Sequence, residues 1–244
     1  MSIMEYDVVI IGGGAAGMTA AVLTAGSSLK VALIEKNSQC GRKILLTGKG
    51  RCNITNARPW EELKEHIHPD SGFFRPSFMA FSNTDVVAMF SSLGLPTVVE
   101  RGQRVFPVSG RSSDVRDALL SGIKRASNVD VLYDSAAVSV LRSAAGHFVV
   151  EVLRSGSRME IVEVTASSVI VATGGLSYPS TGSTGDGYKF ARSFGHTVTP
   201  TAPSLTALVP VGYSLSLAGL TLRNVALSLL VDGGVVQREF GELT

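Results

Sequence analysis

The sequence has few of the residues that cross-link small proteins or bind metals. Two cysteines in 244 residues, Cys40 and Cys52, cannot build a disulfide framework. Their spacing is not C-x-x-C, which gives neither a dithiol redox motif nor a zinc pattern. A reducing, cytoplasmic setting is expected. Histidine is scarce as well. His66, His68, His147 and His196 show no ligand spacing with acids or cysteines, so no metal site is expected. His66 and His68 alternate, which fits a solvated loop better than a metal pair. No Ser/His/Asp set and no carboxylate pair can be argued. The formal net charge is only +2, so the total carries no polyanion-binding signal. Long apolar runs are also missing. The longest, Leu215 to Val231, is interrupted by Arg223 and Asn224 and is not expected to span a bilayer. No signal peptide is expected, because the N-terminus enters a strand-like run almost at once. No internal repeat is visible.

Glycine, by contrast, is abundant, with 26 residues, many of them in clusters. Clustered glycine marks tight turns or close approach of main chain to something else. The first cluster has an informative setting. Tyr6 to Ile11 (YDVVII) reads as a strand buried on both faces. Gly12 to Gly17 follows, and Met18 to Ala25 is small and apolar, as in a tightly packed helix. Lys30 to Ile34 is a second short strand, closed by Glu35. Strand, glycine turn, helix and strand within residues 5–36 have the size of one βαβ unit.

Gly12, Gly14 and Gly17 fit G-x-G-x-x-G, and Glu35 lies about 20 positions further on. Gly12 allows the turn, Gly14 lets a pyrophosphate approach main chain, and Gly17 lets helix and strand pack closely. The helix N–H groups at Ala15 and Ala16 would then face phosphate. Glu35 would accept hydrogen bonds from ribose hydroxyls, with Lys36 beside it. These features fit NAD and FAD alike, and a classical NAD-dependent dehydrogenase is one reading.

Residues 37 to 58 are polar, Gly-rich and without period, too long for an idle loop. Within them Arg42, Lys43, Lys49 and Arg51 come with no acid. That strip is either a solvated loop or lies near an anionic ligand. Thr84 to Leu93 has helical spacing with a stop at Gly94. Val98–Val99 and Gln103–Phe106 suggest short strands, and Ser112 to Ala126 a helix. From Val129 to Thr165 four β segments follow: Val131–Tyr133, Ala137–Leu141, Phe148–Leu153 and Met159–Val164. They read as a small antiparallel insertion. Ser168 to Ala172 then returns to a parallel-type strand that runs into Thr173-Gly174-Gly175. Gly185 to Phe194 is a helix opened by Asp186. Beyond His196 the pattern turns to short β runs: Leu205–Val211, Val225–Val231 and Val235–Phe240. Trp60 and the phenylalanines at 73, 74, 78 and 81 read as core or cover, or as an apolar substrate wall.

Two long segments carry a family resemblance. Residues 41–56, GRKILLTGKGRCNITN, and residues 172–188, ATGGLSYPSTGSTGDGY, resemble the signatures of the BaiN/YhiN-like flavoproteins, a family of NAD(P)/FAD-dependent oxidoreductases. The resemblance implies an α/β fold: a Rossmann-type, glutathione-reductase-like FAD-binding domain over residues 1–195, with the antiparallel insertion at about 129–165. The start of a β-rich second domain, incomplete relative to the family, would occupy residues 196–244. It implies FAD as cofactor and NAD(P)H as a transient electron donor. Arg42, Lys43, Thr47 and Gly48 would serve the cofactor from the first signature, and Thr173, Gly174 and Gly175 from the second. Val138, in the insertion, would be either a main-chain contact to adenine or a core valine. Flavin carries the electron chemistry, so the protein needs to supply orientation and a proton. Tyr178 and Cys52 are the candidate acids, and Cys52 could simply pack. The resemblance implies a flavin-dependent reduction or oxidation of a small organic substrate. Two alternatives differ in class: a short FAD-binding module without catalysis, and a flavin-dependent reductase of uridine in RNA. The second would make nucleic acid a partner.

Overall fold

The computed structural model describes residues 3–156, 159–203, 211–212 and 219–243. The chain divides into two compact units, residues 1–198 and 199–244.

The first unit is a Rossmann-type α/β domain. Strand β1 (Ile3–Ile11) leads through the glycine turn into helix α1 (Ala15–Thr24) and then strand β2 (Val31–Ile34). β1 and β2 pair in parallel, from Val8 with Val31 to Ile11 with Ile34. Residues 37–58 are not loop throughout. They hold the short helix α2 (Arg42–Leu46) and strand β3 (Thr55–Asn56). Helices α3 (Trp60–Leu63), α4 (Ser71–Ala80) and α5 (Asn83–Ser92) follow. Ser82 and Asp85 close a capping box at the start of α5. Phe78 of α4 is buried against the Trp60 ring, whereas Phe73 is 86% exposed. Strands β4 (Thr97–Glu100) and β5 (Arg104–Pro107) join β3 in a three-stranded sheet. Helix α6 (Ser112–Lys124) buries Val115, Leu119 and Ile123, one face at i, i+4 and i+8.

Strand β6 (Val129–Leu132) pairs in parallel with β2, so the β segment read near Val131 belongs to the main sheet. The antiparallel part begins only at β7 (Ser135–Arg142) and continues through β8 (Phe148–Arg154). Strand β9 (Glu160–Val171) unites what the sequence divides at Val164 and Ser168. Its residues Glu160–Ala166 pair antiparallel with β8 and Glu163–Val171 parallel with β1, so the middle of the strand is paired on both sides. Apolar alternation is the same in both kinds of ladder, so periodicity cannot assign the partner. The sheet order is β6-β2-β1-β9-β8-β7. Helix α7 (Asp186–Ser193) follows β9.

Alternation along β1 and β2 divides the core between two sheet faces. Ile10, Val31 and Leu33 pack with Met18 of α1, Phe90 of α5 and Leu119 of α6. Val9, Ile11, Ala32 and Ile34 pack with Val140, Val150, Val152, Val162 and Val164 of the antiparallel strands and Phe190 of α7. Both faces of β1 and β2 are thus covered, as the unbroken apolar run requires.

The second unit contains strands β10 (Leu222–Val231) and β11 (Gly234–Leu243), an antiparallel hairpin. They include the runs expected at Val225–Val231 and Val235–Phe240. The run expected at Leu205–Val211 lies outside the described residues apart from Val211. Among the described residues no helix is long and apolar enough to cross a membrane.

Candidate functional site

The first unit carries a cavity of about 1060 Å³ at the carboxyl ends of β1, β2 and β9. β2 and β6 lie on one side of β1 and β9 on the other, so the strand order reverses here. Ligands of open α/β sheets bind at such a switch point. The volume is at the upper end of the roughly 300–1,000 Å³ range of small-molecule sites.

The floor is main chain. Gly12 N–H donates to Ile34 O at 2.8 Å, Gly41 N–H to Gly13 O at 2.8 Å, and Ala172 N–H to Ile11 O at 2.8 Å. Four chain segments therefore meet at the turn. Gly12 has a left-handed φ of +108°, and a Cβ there would lie 2.5 Å from Ala172 O. A Cβ on Gly17 would lie 1.9 Å from Gly12 O, so this glycine seats the helix against the turn. Gly14 is different. Its φ of −80° suits any residue, and a Cβ would meet no protein atom within 4 Å. It lines the cavity, so a side chain here would project into that space. Nothing in the fold demands glycine at this position. No side chain caps α1 and its first turn holds no acid. Its free N–H groups and the positive end of its dipole therefore remain available to an anion. Ala15 and Ala16 line the cavity beside Gly14.

The walls come from the ends of β2 and α2. Glu35 is 7% exposed, and its Oε2 accepts the Gly13 N–H at 2.8 Å, at the opening of α1. Its Oε1 accepts both the main-chain and side-chain N–H of Asn37. Arg42 donates to Asn37 Oδ1 at 2.6 Å. Lys43 Nζ reaches across to Ser183 Oγ at 2.6 Å and Ser177 O at 2.7 Å. Lys36 pairs with Asp186 at 2.8 Å and also donates to Thr184. Burial alone would raise the Asp186 carboxyl, but hydrogen bonds from Lys36 and Thr184 and the charges of Lys36 and Lys189 outweigh it and lower it. Two lysines thus fasten the 173–186 loop to the end of β2 and to α2. The rest of the lining is largely apolar, including Ile44, Ile54, Val86, Phe90, Val115 and Leu119.

Of the residues singled out by sequence, Gly12, Gly14, Ala15, Ala16, Glu35, Lys36, Arg42, Lys43, Thr47, Cys52, Thr173 and Gly174 line one cavity. Gly17, Gly48 and Gly175 are not part of its lining. In the antiparallel strands Ala137 lines the cavity, while the Val138 side chain is 50% exposed beside an irregularity in the β7–β8 register. Tyr178 is 65% exposed and is not part of the lining, because its left-handed backbone opens a 3₁₀ turn on the surface. Cys52 does line the cavity and is buried. Burial pushes its thiol up, opposed in part by a hydrogen bond with Thr47, so it is a protonated thiol near neutral pH. Arg51 of the basic strip pairs with Glu100 and stacks over the Phe106 ring.

Sequence reasoning missed Asn37, Ser183, Asp186 and Tyr188, which all line the cavity. The last three fall within the second signature, which marks their segment but not their direction. Asn37 gave no signal beyond following Glu35 and Lys36. Among the described residues no group of three or more His, Cys, Asp or Glu side chains could hold a metal ion.

A family profile described as "HI0933-like protein Rossmann domain" matches residues 6–243. The chain is 33% identical over 236 residues to a 3-dehydro-bile acid delta(4,6)-reductase of Clostridium scindens, covering 96% of this chain and 55% of that protein. It is 30% identical over 241 residues to a ribosomal RNA dihydrouridine synthase of Escherichia coli, covering 96% and 56%. The chain therefore spans about half the length of these curated relatives. Among solved structures, the open conformation of a flavocytochrome c3 fumarate reductase matches with a TM-score of 0.53 and 19% identity, over 78% of this chain and 40% of that one. E. coli quinol fumarate reductase FrdA matches with a TM-score of 0.52 and 16% identity, over 72% and 33%. These structural likenesses establish the fold.

Proposed function

Because the chain belongs to the HI0933-like protein Rossmann domain family, we propose that its first unit is the FAD-binding part of a flavin-dependent oxidoreductase. The observation that carries this reading is Gly14. It is a glycine that no neighbouring atom and no backbone angle requires, at the uncapped start of α1, on a cavity wall shared with Glu35.

The residues present fit the cofactor. Gly12, Gly14, Ala15 and Ala16 offer main chain to a pyrophosphate. Glu35 offers a carboxylate to a ribose, and Arg42 and Lys43 bring positive charge with no acid paired to either among the described residues. Thr173, Gly174 and Thr47 border the same cavity, whose apolar lining suits a flat ring system. The Ala137–Val138 stretch is the candidate for adenine contact. Bound FAD would supply the two-electron transfer, with NAD(P)H as donor. The protein's share is binding, orientation and one proton. Cys52 is better placed for that proton than Tyr178, since it faces the cavity and stays protonated.

The curated relatives are a delta(4,6)-reductase and a dihydrouridine synthase. Both names concern a carbon–carbon double bond next to a carbonyl, so the substrate proposed here is an activated alkene in a small molecule. Uridine in RNA is the second reading, favoured by the name of the E. coli relative. It predicts RNA binding that weakens steeply with salt. Two free, buried cysteines fit a reducing cytoplasmic setting.

The test is an absorbance spectrum of the purified chain after incubation with FAD and gel filtration. Retained flavin bands are expected, followed by bleaching under anaerobic NADH or NADPH. Retention of no flavin at micromolar concentrations overturns the cofactor assignment. Retention without reduction by either nucleotide leaves a binding module and overturns the donor.

A further inference from the structure

We infer that Asn37 is a positioning residue for nucleotide recognition, a neutral spacer that keeps Glu35 and Arg42 apart so that each meets the ligand with its charge unspent. The inference rests on the FAD reading and assigns a residue to it. Asn37 donates twice to Glu35 Oε1, through its main-chain N–H at 2.8 Å and its side-chain amide. Its amide oxygen accepts from Arg42 Nη1 at 2.6 Å. The amide lies 3.5 Å from Thr181 O on the second-signature loop, and the Asn37 carbonyl accepts the Asp134 N–H at 3.1 Å. The residue is therefore fixed from three directions.

Its chemistry is hard to replace. The position must donate to a carboxylate and accept from a guanidinium without carrying charge. An amide does both; a carboxylate cannot donate when ionised, and an ammonium cannot accept. Without the spacer, the carboxylate and guanidinium could pair with each other, a geometry that fits well and holds strongly. Each would then be lost to a ligand. The spacer also limits Glu35. A carboxylate has about four acceptor sites. Gly13 and Asn37 fill three of them, which leaves room for a single ligand hydroxyl. The other polar groups around Glu35 are the Cys40 thiol, raised by burial and by the Glu35 charge, and the Tyr133 hydroxyl, raised by burial first and then by Cys40 and the Glu35 charge. Both are neutral at physiological pH. Lys36, the adjacent cation, is drawn away to Asp186.

The full chain would be titrated with FAD, ADP and 2′-phospho-ADP by calorimetry or FAD fluorescence, between pH 5 and 8. Wild type should bind FAD and ADP and discriminate against the 2′-phosphate. Asn37→Ala should weaken FAD about tenfold and reduce that discrimination. Asn37→Asp should weaken FAD about a hundredfold at pH 8 and recover as the pH falls, because one proton shared by the two carboxylates removes their repulsion. Combining Glu35→Gln with Asn37→Asp exchanges the amide and the carboxylate, and should bind FAD better than Asn37→Asp alone. A structural role would lower melting temperature without moving the pH profile or the ratio of ADP to 2′-phospho-ADP affinity. If Asn37→Asp binds FAD like wild type at every pH, or the double variant gives no recovery, the inference falls. If Asn37→Asp does not fold, unchanged FAD affinity and discrimination in Asn37→Ala overturn it. A wild type that binds neither FAD nor ADP overturns the cofactor reading, and this inference with it.

Discussion

The two glycine-rich segments that border the cavity use the same residue for different reasons. In the first turn, Gly12 and Gly17 are demanded by atoms: a Cβ at either position would collide with main chain. In residues 41–50 the demand comes mainly from backbone angle. Gly48 and Gly50 have φ of +55° and +85°, and a Cβ on Gly50 would meet nothing within 4 Å. Lys49 and Cys52 adopt left-handed φ of 55° and 60° without being glycine. Each such residue costs on the order of 1–2 kcal/mol, so this segment stores strain that the first turn does not. Gly14 belongs to neither case, and the ligand proposal rests on that exception.

The contrast can be broken at four points. The largest effect is expected at Gly17→Ala. Its Cβ would sit 1.9 Å from Gly12 O, and backbone cannot yield as a side chain does. A loss of roughly 3 kcal/mol or more is expected, beyond the usual cost of overpacking. A thermal melt within a few degrees of wild type would show that the helix can shift. Next comes Gly14→Val. Its melt should match wild type, while FAD affinity falls about a hundredfold, roughly 2.7 kcal/mol. A destabilised fold with normal FAD affinity would reverse the assignment of Gly14. Third is Gly50→Ala, where only the φ of +85° is at stake. Urea unfolding should report a loss of about 1–2 kcal/mol.

The last effect concerns pH. The Cys40 thiol is pushed up from 9.0 to about 12, by burial first and then by the Glu35 charge, against a hydrogen bond with Tyr133. A raised folded value keeps its stabilising contribution below pH 9 and loses it as the pH climbs toward 12. Urea midpoints should therefore fall across that window, and Cys40→Ser, with its non-titrating hydroxyl, should flatten the fall. An identical alkaline slope in both proteins would assign it elsewhere. Tyr6, raised to about 12 mainly by burial, titrates in an overlapping range and is the control to vary in parallel.

How much was legible follows from the range of the contacts. The βαβ unit of residues 5–36 was readable because each of its signals is local: an unbroken apolar run, a spaced glycine turn, a small-residue helix, a closing acid. The helices at Asn83–Ser92 and Ser112–Lys124 were readable for the same reason. The partner of β6 was not, since a strand of four residues looks the same in either ladder. Tyr178 stood out by its place in a signature, yet its left-handed backbone starts a surface turn. Cys52 stood in a signature too, and it faces the cavity.

The sequence alone determined the turn, the helix that follows it and the acid at the end of the next strand. Each depends on steric and periodic rules that act within a few residues. Tertiary structure decided which polar groups share the cavity. Lys43 meets Ser183 across 140 residues, and Lys36 meets Asp186 across 150. Such pairings exist only once the sheet sets the ends of β2 and β9 on either side of β1, because no local interaction carries information over that distance. The neutral amide between Glu35 and Arg42 is close in sequence, but its direction is set by the loop and strand packed around it.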